Sequence, residues 1–150
     1  MFANILIVDD DVEIRKMLLQ ILNDEGYSVE AVERGKQALK MCKKGPFDVA
    51  LVDINLPDIE GVELIKKLKH IQPNMIRVII TGHPSVDNAV KAVNEKADAY
   101  VIKPINPVEL LEKIRTLIKE KETELFQCFR LVEDAKKSTP IFKYQRPEKW

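Results

Sequence analysis

The chain has 150 residues and balances 24 lysines and arginines against 24 aspartates and glutamates, so its formal net charge is zero at pH 7. Apolar residues make up 45% of it, and no long uncharged run is present, which favours one packed core and excludes a membrane-spanning helix. The two cysteines, Cys42 and Cys128, lack the spacing of a metal site and are typical of free thiols in a reducing compartment. These features predict a single small domain in the cytoplasm.

Short runs of β-branched residues alternate with helix-like stretches over most of the chain. Such near-continuous apolar runs are typical of strands that are buried on both faces of a parallel sheet. The predicted strands are residues 4–9, 28–32, 49–53, 78–81 and 99–103, and the predicted helices are 12–23, 35–43, 62–70, 85–94 and 107 onward. The alternation predicts an α/β fold in which five βα units form a doubly wound, five-stranded parallel sheet.

Individual residues mark where the first and last helices begin or end. Asp11 precedes the first helix, where a carboxylate can accept hydrogen bonds from the free N–H groups of the first turn. Gly26 follows the same helix and can adopt the left-handed conformation that ends helices. Pro107 fits the first turn of the last helix, because the N–H that proline lacks has no helical partner there.

Polar residues follow four of the predicted strands at the point where each strand ends. The residues are Asp9 with Asp10, then Asp53, Thr81 and Lys103. The carboxyl ends of parallel strands share one edge of the sheet, and ligands bind in the crevice there. Three neighbouring carboxylates repel one another unless a cation neutralises them, and oxygen ligands of this kind suit Mg²⁺. An ammonium and a hydroxyl beside that metal would bind a phosphoryl group, so the sequence predicts a site for both.

Four segments with these residues resemble the receiver domains of two-component response regulators, of the kind found in chemotaxis regulators. The segments are ILIVDDD at 5–11, LVDINLPDIEG at 51–61, VIITGH at 78–83 and AYVIKP at 99–104. In the second segment Asp53 matches the phosphoacceptor aspartate, with Pro57 and Gly61 at the expected distance. The resemblance covers residues 3 to about 118 and implies a flavodoxin-like (βα)5 fold with an extended last helix.

The resemblance also implies a metal-dependent phosphoacceptor site. A sensor histidine kinase, or a small phosphodonor, would transfer a phosphoryl group to Asp53. Mg²⁺ would be bound by Asp10, by Asp53 and by the backbone carbonyl of Asn55, with Asp9 acting through a water. The chain would then be a signalling protein that promotes its own phosphorylation and dephosphorylation, rather than a conventional enzyme, and would switch an unknown downstream protein.

Three further residues carry the switch in this resemblance. Lys103 would pair with the phosphoryl group and precede a cis peptide bond to Pro104. Thr81 would move towards the phosphoryl group while Tyr100 turns inward. Considered singly, each has a simpler role: Lys103 as a surface charge, Thr81 as a strand-end hydroxyl and Tyr100 as a packing residue. Asp9 and Asp10 could likewise only cap the first helix.

A hydrolase or phosphotransferase with an aspartyl-phosphate intermediate is the competing interpretation. Such an enzyme needs a general acid, usually a carboxylate two residues after the nucleophile, and a cap domain that covers the substrate. Asn55 occupies that position, and the chain has no insertion long enough for a cap. The sequence therefore favours the signalling role.

The chain continues beyond the point where a receiver ends. The predicted parts are a receiver domain at 1–118, a helical extension at 119–137 and a flexible basic tail at 138–150. Leu125, Phe129 and Val132 form an apolar stripe on the extension, which either folds back on the receiver or pairs with a second copy or a partner protein. No segment after 118 has the length of an output domain, so we expect a stand-alone receiver, although the chain could be a fragment of a longer regulator.

A second predicted homodimer surface comprises the fourth helix, fifth strand and fifth helix. Its charged residues would be Lys91, Asp98, Glu109 and Arg115, but Ala99 stands where a second acid usually follows. The basic tail is short and broken by prolines, so we expect no direct nucleic-acid binding and no membrane partner.

Overall fold

The computed structural model describes residues 3–83 and 85–138. The strands are β1 (Asn4–Val8), β2 (Ser28–Val32), β3 (Val49–Asp53), β4 (Ile76–Thr81) and β5 (Ala99–Ile102). The helices are α1 (Val12–Asp24), α2 (Gly35–Lys44), α3 (Gly61–Ile71), α4 (Val86–Asn94) and α5 (Pro107–Ser138). The strands pair in parallel in the order β2-β1-β3-β4-β5. The predicted fold class is confirmed, while the predicted tail from 139 onward lies outside the described residues.

Helices cover both faces of the sheet, and two cores result. On one face α1 and α5 pack on the strands through Leu18, Leu22, Leu110 and Ile114, all of them buried. On the other face α2, α3 and α4 form the second core. The chain order of the strands reverses direction between β1 and β3, so the crevice of this doubly wound sheet lies at the carboxyl ends of those two strands.

The predicted ends of α1 are confirmed by hydrogen bonds. The side chain of Asp11 accepts from the N–H groups of Glu13 at 2.9 Å and Ile14 at 3.2 Å. At the other end Gly26 has φ +92°, and its N–H donates to the carbonyl of Asn23. Both residues therefore act as the helix caps that their chemistry indicates.

The fourth strand begins earlier than predicted. β4 starts at Ile76 instead of residue 78, because Arg77 is a buried member of the strand even though it is charged. The N–H of Arg77 donates to the Asp98 carboxylate at 2.8 Å, and its carbonyl accepts from the N–H of Asp98. This paired contact with the residue just before β5 extends the strand by two residues.

The turn between α4 and β5 holds a lysine in a conformation that favours glycine. Lys96 has φ +59°, a left-handed conformation in which its Cβ is crowded by backbone atoms. We expect Lys96→Gly to raise the free energy of unfolding by about 1 kcal/mol, measured by chemical denaturation. Glu95→Gly is the matched control and should lower stability, because Glu95 has φ −86°. A Lys96→Gly variant less stable than the wild type would contradict this account of the turn.

The last helix is much longer than the others. α5 has 32 residues, which corresponds to roughly 48 Å at the standard rise per residue. Its residues Ile118, Lys121 and Leu125 line a cavity of about 230 Å³ together with Ala3 and Asp48. Since Ala3 and Asp48 directly precede β1 and β3, α5 passes the amino edge of the sheet near Leu125 and continues beyond it. No helix in the described part of the chain is both long and apolar enough to cross a membrane.

Candidate functional site

Three carboxylates meet at the crevice between β1 and β3. Asp9 and Asp10 follow β1, Asp53 ends β3, and one oxygen atom from each of the three lies within 4.8 Å of the others. Asp9 and Asp53 are buried, whereas Asp10 is exposed. The parallel register of β1 and β3 brings these residues together, since Val8 pairs with Val52 and the next residue along the chain is an aspartate in both cases.

Backbone and side-chain contacts fix Asp9 in this cluster. Its Oδ1 accepts the N–H of Asp11 at 2.9 Å, and its own N–H donates to the carbonyl of Val32 at 3.1 Å. Its carbonyl accepts from the Arg15 guanidinium at 2.8 Å. Asp9 therefore has little freedom to move away from the other two acids.

Lys103 supplies the positive charge nearest to these acids. Its Nζ lies 3.0 Å from Asp9 Oδ2 and 3.5 Å from Asp53 Oδ2. Burial alone would lower the pKa of Lys103, but the hydrogen bond and charge of Asp9, together with those of Asp53, raise it above its ordinary value. The lysine is therefore protonated and holds two buried carboxylates at the same time.

The carboxyl group of Asp53 has a raised pKa. Burial contributes most, the negative charge of Asp9 raises it further, and Lys103 and the N–H of Asn55 oppose the shift. Because the pKa of Asp53 is raised despite Lys103, the single ammonium does not fully offset the burial of the two carboxylates and the repulsion between them. A further cation at this cluster would relieve that repulsion.

The loop after β3 approaches the strand closely because of Gly61. The N–H of Asn55 donates to Asp53 Oδ1 at 3.3 Å, and the N–H of Gly61 donates to the carbonyl of Ile54 at 2.8 Å. A Cβ atom at Gly61 would collide with the backbone of Asp53 and Ile54. Glycine is therefore required for the loop to hold Asp53 and Asn55 at the crevice.

Thr81 and Tyr100 lie on neighbouring strands beside the acids. Thr81 is fully buried, and its Oγ1 accepts the N–H of His83 at 3.1 Å. The Tyr100 ring packs against the core under α2, α3 and α4, and its buried hydroxyl has no hydrogen-bond partner among the described residues. His83 is exposed, and the peptide bond between Lys103 and Pro104 is cis.

The donor set fits a hard divalent cation. Three carboxylates converge, two of them are buried, and a single lysine leaves part of their charge uncompensated. Mg²⁺ and Ca²⁺ take such oxygen ligands, and backbone carbonyls such as that of Asn55 add to the same set.

The sequence matches the family model of the response regulator receiver domain over residues 5–115. The chain belongs to this receiver family. Members are signalling phosphoacceptors of two-component systems, they bind divalent cations at the acidic cluster, and phosphorylation of an aspartate is implied for them.

Relatives and solved structures agree with this assignment. The transcriptional regulatory protein ZraR of Klebsiella oxytoca is 36% identical over 104 residues, which is 69% of this chain and 24% of that protein. The response regulator MprA of Mycobacterium bovis is 32% identical over 124 residues, which is 83% of this chain and 54% of that protein. This chain thus spans about a quarter to about half of these relatives.

Two solved structures are informative for the site. A CheY-like receiver domain protein from Methanospirillum hungatei is 44% identical, with a TM-score of 0.80, over 83% of this chain and 99% of that one. A response regulator from Burkholderia pseudomallei is 32% identical, with a TM-score of 0.72, over 81% of this chain and 72% of that one. The latter structure contains a phosphorylated aspartic acid, a calcium ion and citrate.

The receiver domain also uses an acid that the sequence analysis did not single out. Asp58, in the loop after β3, accepts the N–H groups of Gly35 and Lys36 at 2.9 Å each and so caps α2. Slight burial would raise the pKa of Asp58, but these backbone hydrogen bonds lower it below the ordinary value of 3.8. The contact ties the loop that carries Asn55 to the start of α2.

Asp58→Ala should lower the free energy of unfolding by about 1 kcal/mol near neutral pH, because α2 loses its cap. The folded-state pKa of Asp58 lies below its unfolded value, so the stabilisation is present above pH 3.8 and is lost as the pH falls through the folded pKa. Denaturation of both proteins from neutral to acid pH measures this, with Asp58→Asn as a milder control. A stability difference that stays constant down to the lowest pH would contradict the assignment.

Proposed function

We propose that this receiver domain accepts a phosphoryl group on Asp53, from a sensor histidine kinase or a small phosphodonor, and thereby switches its contacts with a downstream protein. The observation that carries this proposal is the position of the Asp53 carboxylate. It lies buried at the crevice of the sheet, close to a second buried acid, Asp9, and the Lys103 ammonium contacts both acids. Burial and the negative charge of Asp9 raise the pKa of Asp53, and shifts of this kind cluster at functional sites.

The chemistry follows from this position. An Asp53 carboxylate oxygen forms the new bond to phosphorus while the bond from phosphorus to the donor, a histidine nitrogen in the kinase, breaks. Lys103, already 3.5 Å from Asp53 Oδ2, neutralises the added negative charge on the phosphoryl oxygens. The N–H of Asn55 holds the other carboxylate oxygen in place.

The proposed metal ligands are Asp10, Asp53 and the backbone carbonyl of Asn55, with Asp9 acting through a water. When bound, Mg²⁺ would offset the repulsion among the carboxylates and the phosphoryl oxygens. Asp10 suits direct ligation because its carboxylate is exposed and one of its oxygen atoms lies within 4.8 Å of oxygen atoms of the other two acids. Asp9 is instead engaged by Lys103 and by the N–H of Asp11.

The proposed switch elements are Thr81 and Tyr100. The Thr81 hydroxyl can rotate from its contact with the N–H of His83 towards phosphoryl oxygens, which accept stronger hydrogen bonds. Movement of Thr81 changes the packing beside Tyr100, whose hydroxyl is buried in the core on that face. The packing of Thr81 and Tyr100 would thus differ between the unphosphorylated and phosphorylated states. A partner that binds the surface of α4 and β5 would detect this difference. We assign to the same pocket the domain's promotion of its own phosphorylation and dephosphorylation.

The arrangement of the whole chain remains a proposal. We assign the receiver to residues 1–118, a helical extension to 119–137 and a basic tail to 138–150, in a cytoplasmic protein. Relatives include proteins named as transcriptional regulators, so the expected absence of direct nucleic-acid binding stays a prediction.

The homodimer surface of α4, β5 and α5 also remains a proposal. Three of its charged residues have partners within the chain. Lys91 lies 4.0 Å from Glu60, Arg115 lies 3.3 Å from Glu25, and Asp98 accepts the N–H of Arg77. A dimer that used these charges would have to exchange such contacts for new ones.

Calorimetric titration with Mg²⁺ tests the site directly. Asp10→Ala should weaken Mg²⁺ binding by about tenfold or more, because it removes a ligand that no neighbouring acid replaces. Asp11→Ala is the matched control: it removes the adjacent acid, which caps α1, and should lower stability while leaving Mg²⁺ affinity within about twofold. Equal Mg²⁺ affinity in the wild type and Asp10→Ala would contradict the proposed ligand set. A larger loss of Mg²⁺ affinity in Asp11→Ala than in Asp10→Ala would assign the ligand role to Asp11 instead.

A further inference from the structure

One buried cation of the domain has no close partner for its charge. Arg77 is 5% exposed, and its Nε and Nη1 atoms are buried without a hydrogen-bond partner among the described residues. The Asp98 carboxylate accepts the backbone N–H of Arg77, whereas the guanidinium forms no ion pair within residues 3–83 and 85–138. A buried guanidinium without hydrogen bonds destabilises the fold, so a group that accepts from it would contribute stability.

The side chain of Arg77 lies on the face of the sheet that α2, α3 and α4 cover. The residues on either side of it, Ile76 and Val78, pack into the other core, and side chains alternate between the two faces along a strand. Arg77 is the second residue of β4, so it lies towards the amino edge of the sheet. The end of α3 and the turn from α4 into β5 lie at this same edge, opposite to the edge that holds Asp53.

Two lysines approach Arg77 at the amino edge. Lys69 is half-buried in the last turn of α3, and Lys96 is exposed in the turn between α4 and β5. The side-chain nitrogen atoms of the two lysines lie close enough for a hydrogen bond, although both groups are donors when protonated. Partial burial and the positive charges of Lys96 and Arg77 lower the pKa of Lys69, while Glu95 opposes them. Three cations therefore converge at this edge.

The acids beside these cations do not balance them. Glu95 and Asp98 supply two negative charges against three positive ones, and in the described part of the chain neither acid forms an ion pair with any of the three cations. Two neighbouring ammonium groups repel each other unless an anion accepts from both. Lys96 also keeps a left-handed conformation that favours glycine, and such outliers cluster at sites that bind ligands. The cluster therefore has the donors and the charge of an anion site.

We propose that Lys69, Arg77 and Lys96 bind a small phosphate-bearing anion at the amino edge of the sheet. Charged donors such as guanidinium and ammonium groups make strong hydrogen bonds to phosphate oxygens, and a doubly charged anion offsets the excess positive charge. The bound anion joins the end of α3, the start of β4 and the turn before β5. Inorganic phosphate and the phosphate group of a nucleotide share this chemistry. Since Asp53 lies at the opposite edge, this inference does not rest on the proposed function.

Thermal unfolding of the full chain in increasing inorganic phosphate, without Mg²⁺ and at constant ionic strength, tests the proposal. The Tm of the wild type should rise by about 4 °C at roughly ten times the dissociation constant of phosphate. Lys69→Gln should lose most of this rise. Lys67→Gln changes an exposed lysine of the same helix and is the matched control that should keep it. Phosphate weakly stabilises many proteins without a specific site, so an equal rise in all three proteins, or no rise in the wild type, would overturn the proposal.

Two further variants separate anion binding from the stability of the fold. In phosphate-free chloride buffer, Lys96→Gly and Arg77→Met should each be at least as stable as the wild type. The first relieves a left-handed lysine, and the second removes a buried charge without a partner. Both should lose the phosphate-dependent rise in Tm. A destabilised Arg77→Met would mean that the fold itself satisfies the guanidinium, and would overturn the proposed site.

Adenosine monophosphate in place of phosphate identifies the source of the anion. A larger rise in the Tm of the wild type than phosphate gives, again lost in Lys69→Gln, would support a nucleotide as the ligand. An equal or smaller rise would support the free phosphate ion.

Discussion

Asp53→Asn is expected to abolish phosphoryl uptake from acetyl phosphate and Mg²⁺ and, at the same time, to stabilise the metal-free protein at neutral pH. The first effect follows because an amide cannot accept the phosphoryl group at this position. The second follows because the substitution removes one of two buried carboxylates that a single lysine compensates incompletely. Intact-protein mass and thermal unfolding measure the two effects on the same sample.

The pH dependence gives this prediction a further signature. Burial and the charge of Asp9 raise the folded-state pKa of Asp53 above its ordinary value of 3.8. The stability that the protonated Asp53 carboxyl contributes is therefore fully present below the pKa of Asp53 in the unfolded chain. It is lost as the pH rises through the pKa of Asp53 in the folded protein. Asp53→Asn should lack this loss. Asp24→Asn, which changes an exposed acid at the end of α1, should keep full uptake and wild-type stability. A destabilised Asp53→Asn variant would indicate a structural acid instead.

Lys103→Met is expected to lower the free energy of unfolding of the metal-free protein by about 3 kcal/mol near neutral pH. The substitution leaves Asp9 and Asp53 buried without the ammonium that now lies 3.0 and 3.5 Å from them, and removing one partner of a buried charge pair is strongly destabilising. Phosphoryl uptake should continue slowly, but the response of Thr81 and Tyr100 should be uncoupled from it. Chemical denaturation and uptake kinetics measure these effects.

A double variant separates this electrostatic effect from lost packing. In Lys103→Met with Asp53→Asn, only Asp9 remains as a buried carboxylate, so most of the lost stability should return. Saturating Mg²⁺ should also return part of it in the single variant. If the two substitutions destabilise additively, Lys103 contributes through its aliphatic stem, and the charge account is wrong.

The architecture and the acidic cluster were predictable because both depend on local patterns. β-branched runs mark strands that are buried on both faces, and the residue after each run must lie at the carboxyl edge of a parallel sheet. Asp9 and Asp53 are therefore neighbours by register, although 44 residues separate them in the sequence. The cap at Asp11 and the glycine at Gly26 are likewise local features.

Long-range contacts were not predictable in the same way. Asp58 caps α2, a helix that begins 23 residues earlier in the chain, and no local pattern distinguishes it from an ordinary loop acid. Arg15 is one of several charged residues on α1, and no local pattern sets it apart, yet its guanidinium donates to the carbonyl of Asp9. Arg77 hid the start of β4, because a charged residue argues against a buried strand, and the contact with Asp98 that joins it to the sheet is made by its backbone N–H, which a sequence pattern does not show.

The most direct test of the central claim is the intact mass of the wild-type protein after incubation with acetyl phosphate, with Mg²⁺ or with a chelator. We expect an added mass of one phosphoryl group that requires Mg²⁺, is released by hydroxylamine as an acyl phosphate would be, and maps to the peptide that contains Asp53. No adduct in the presence of Mg²⁺, or an adduct that maps to another residue, would contradict it.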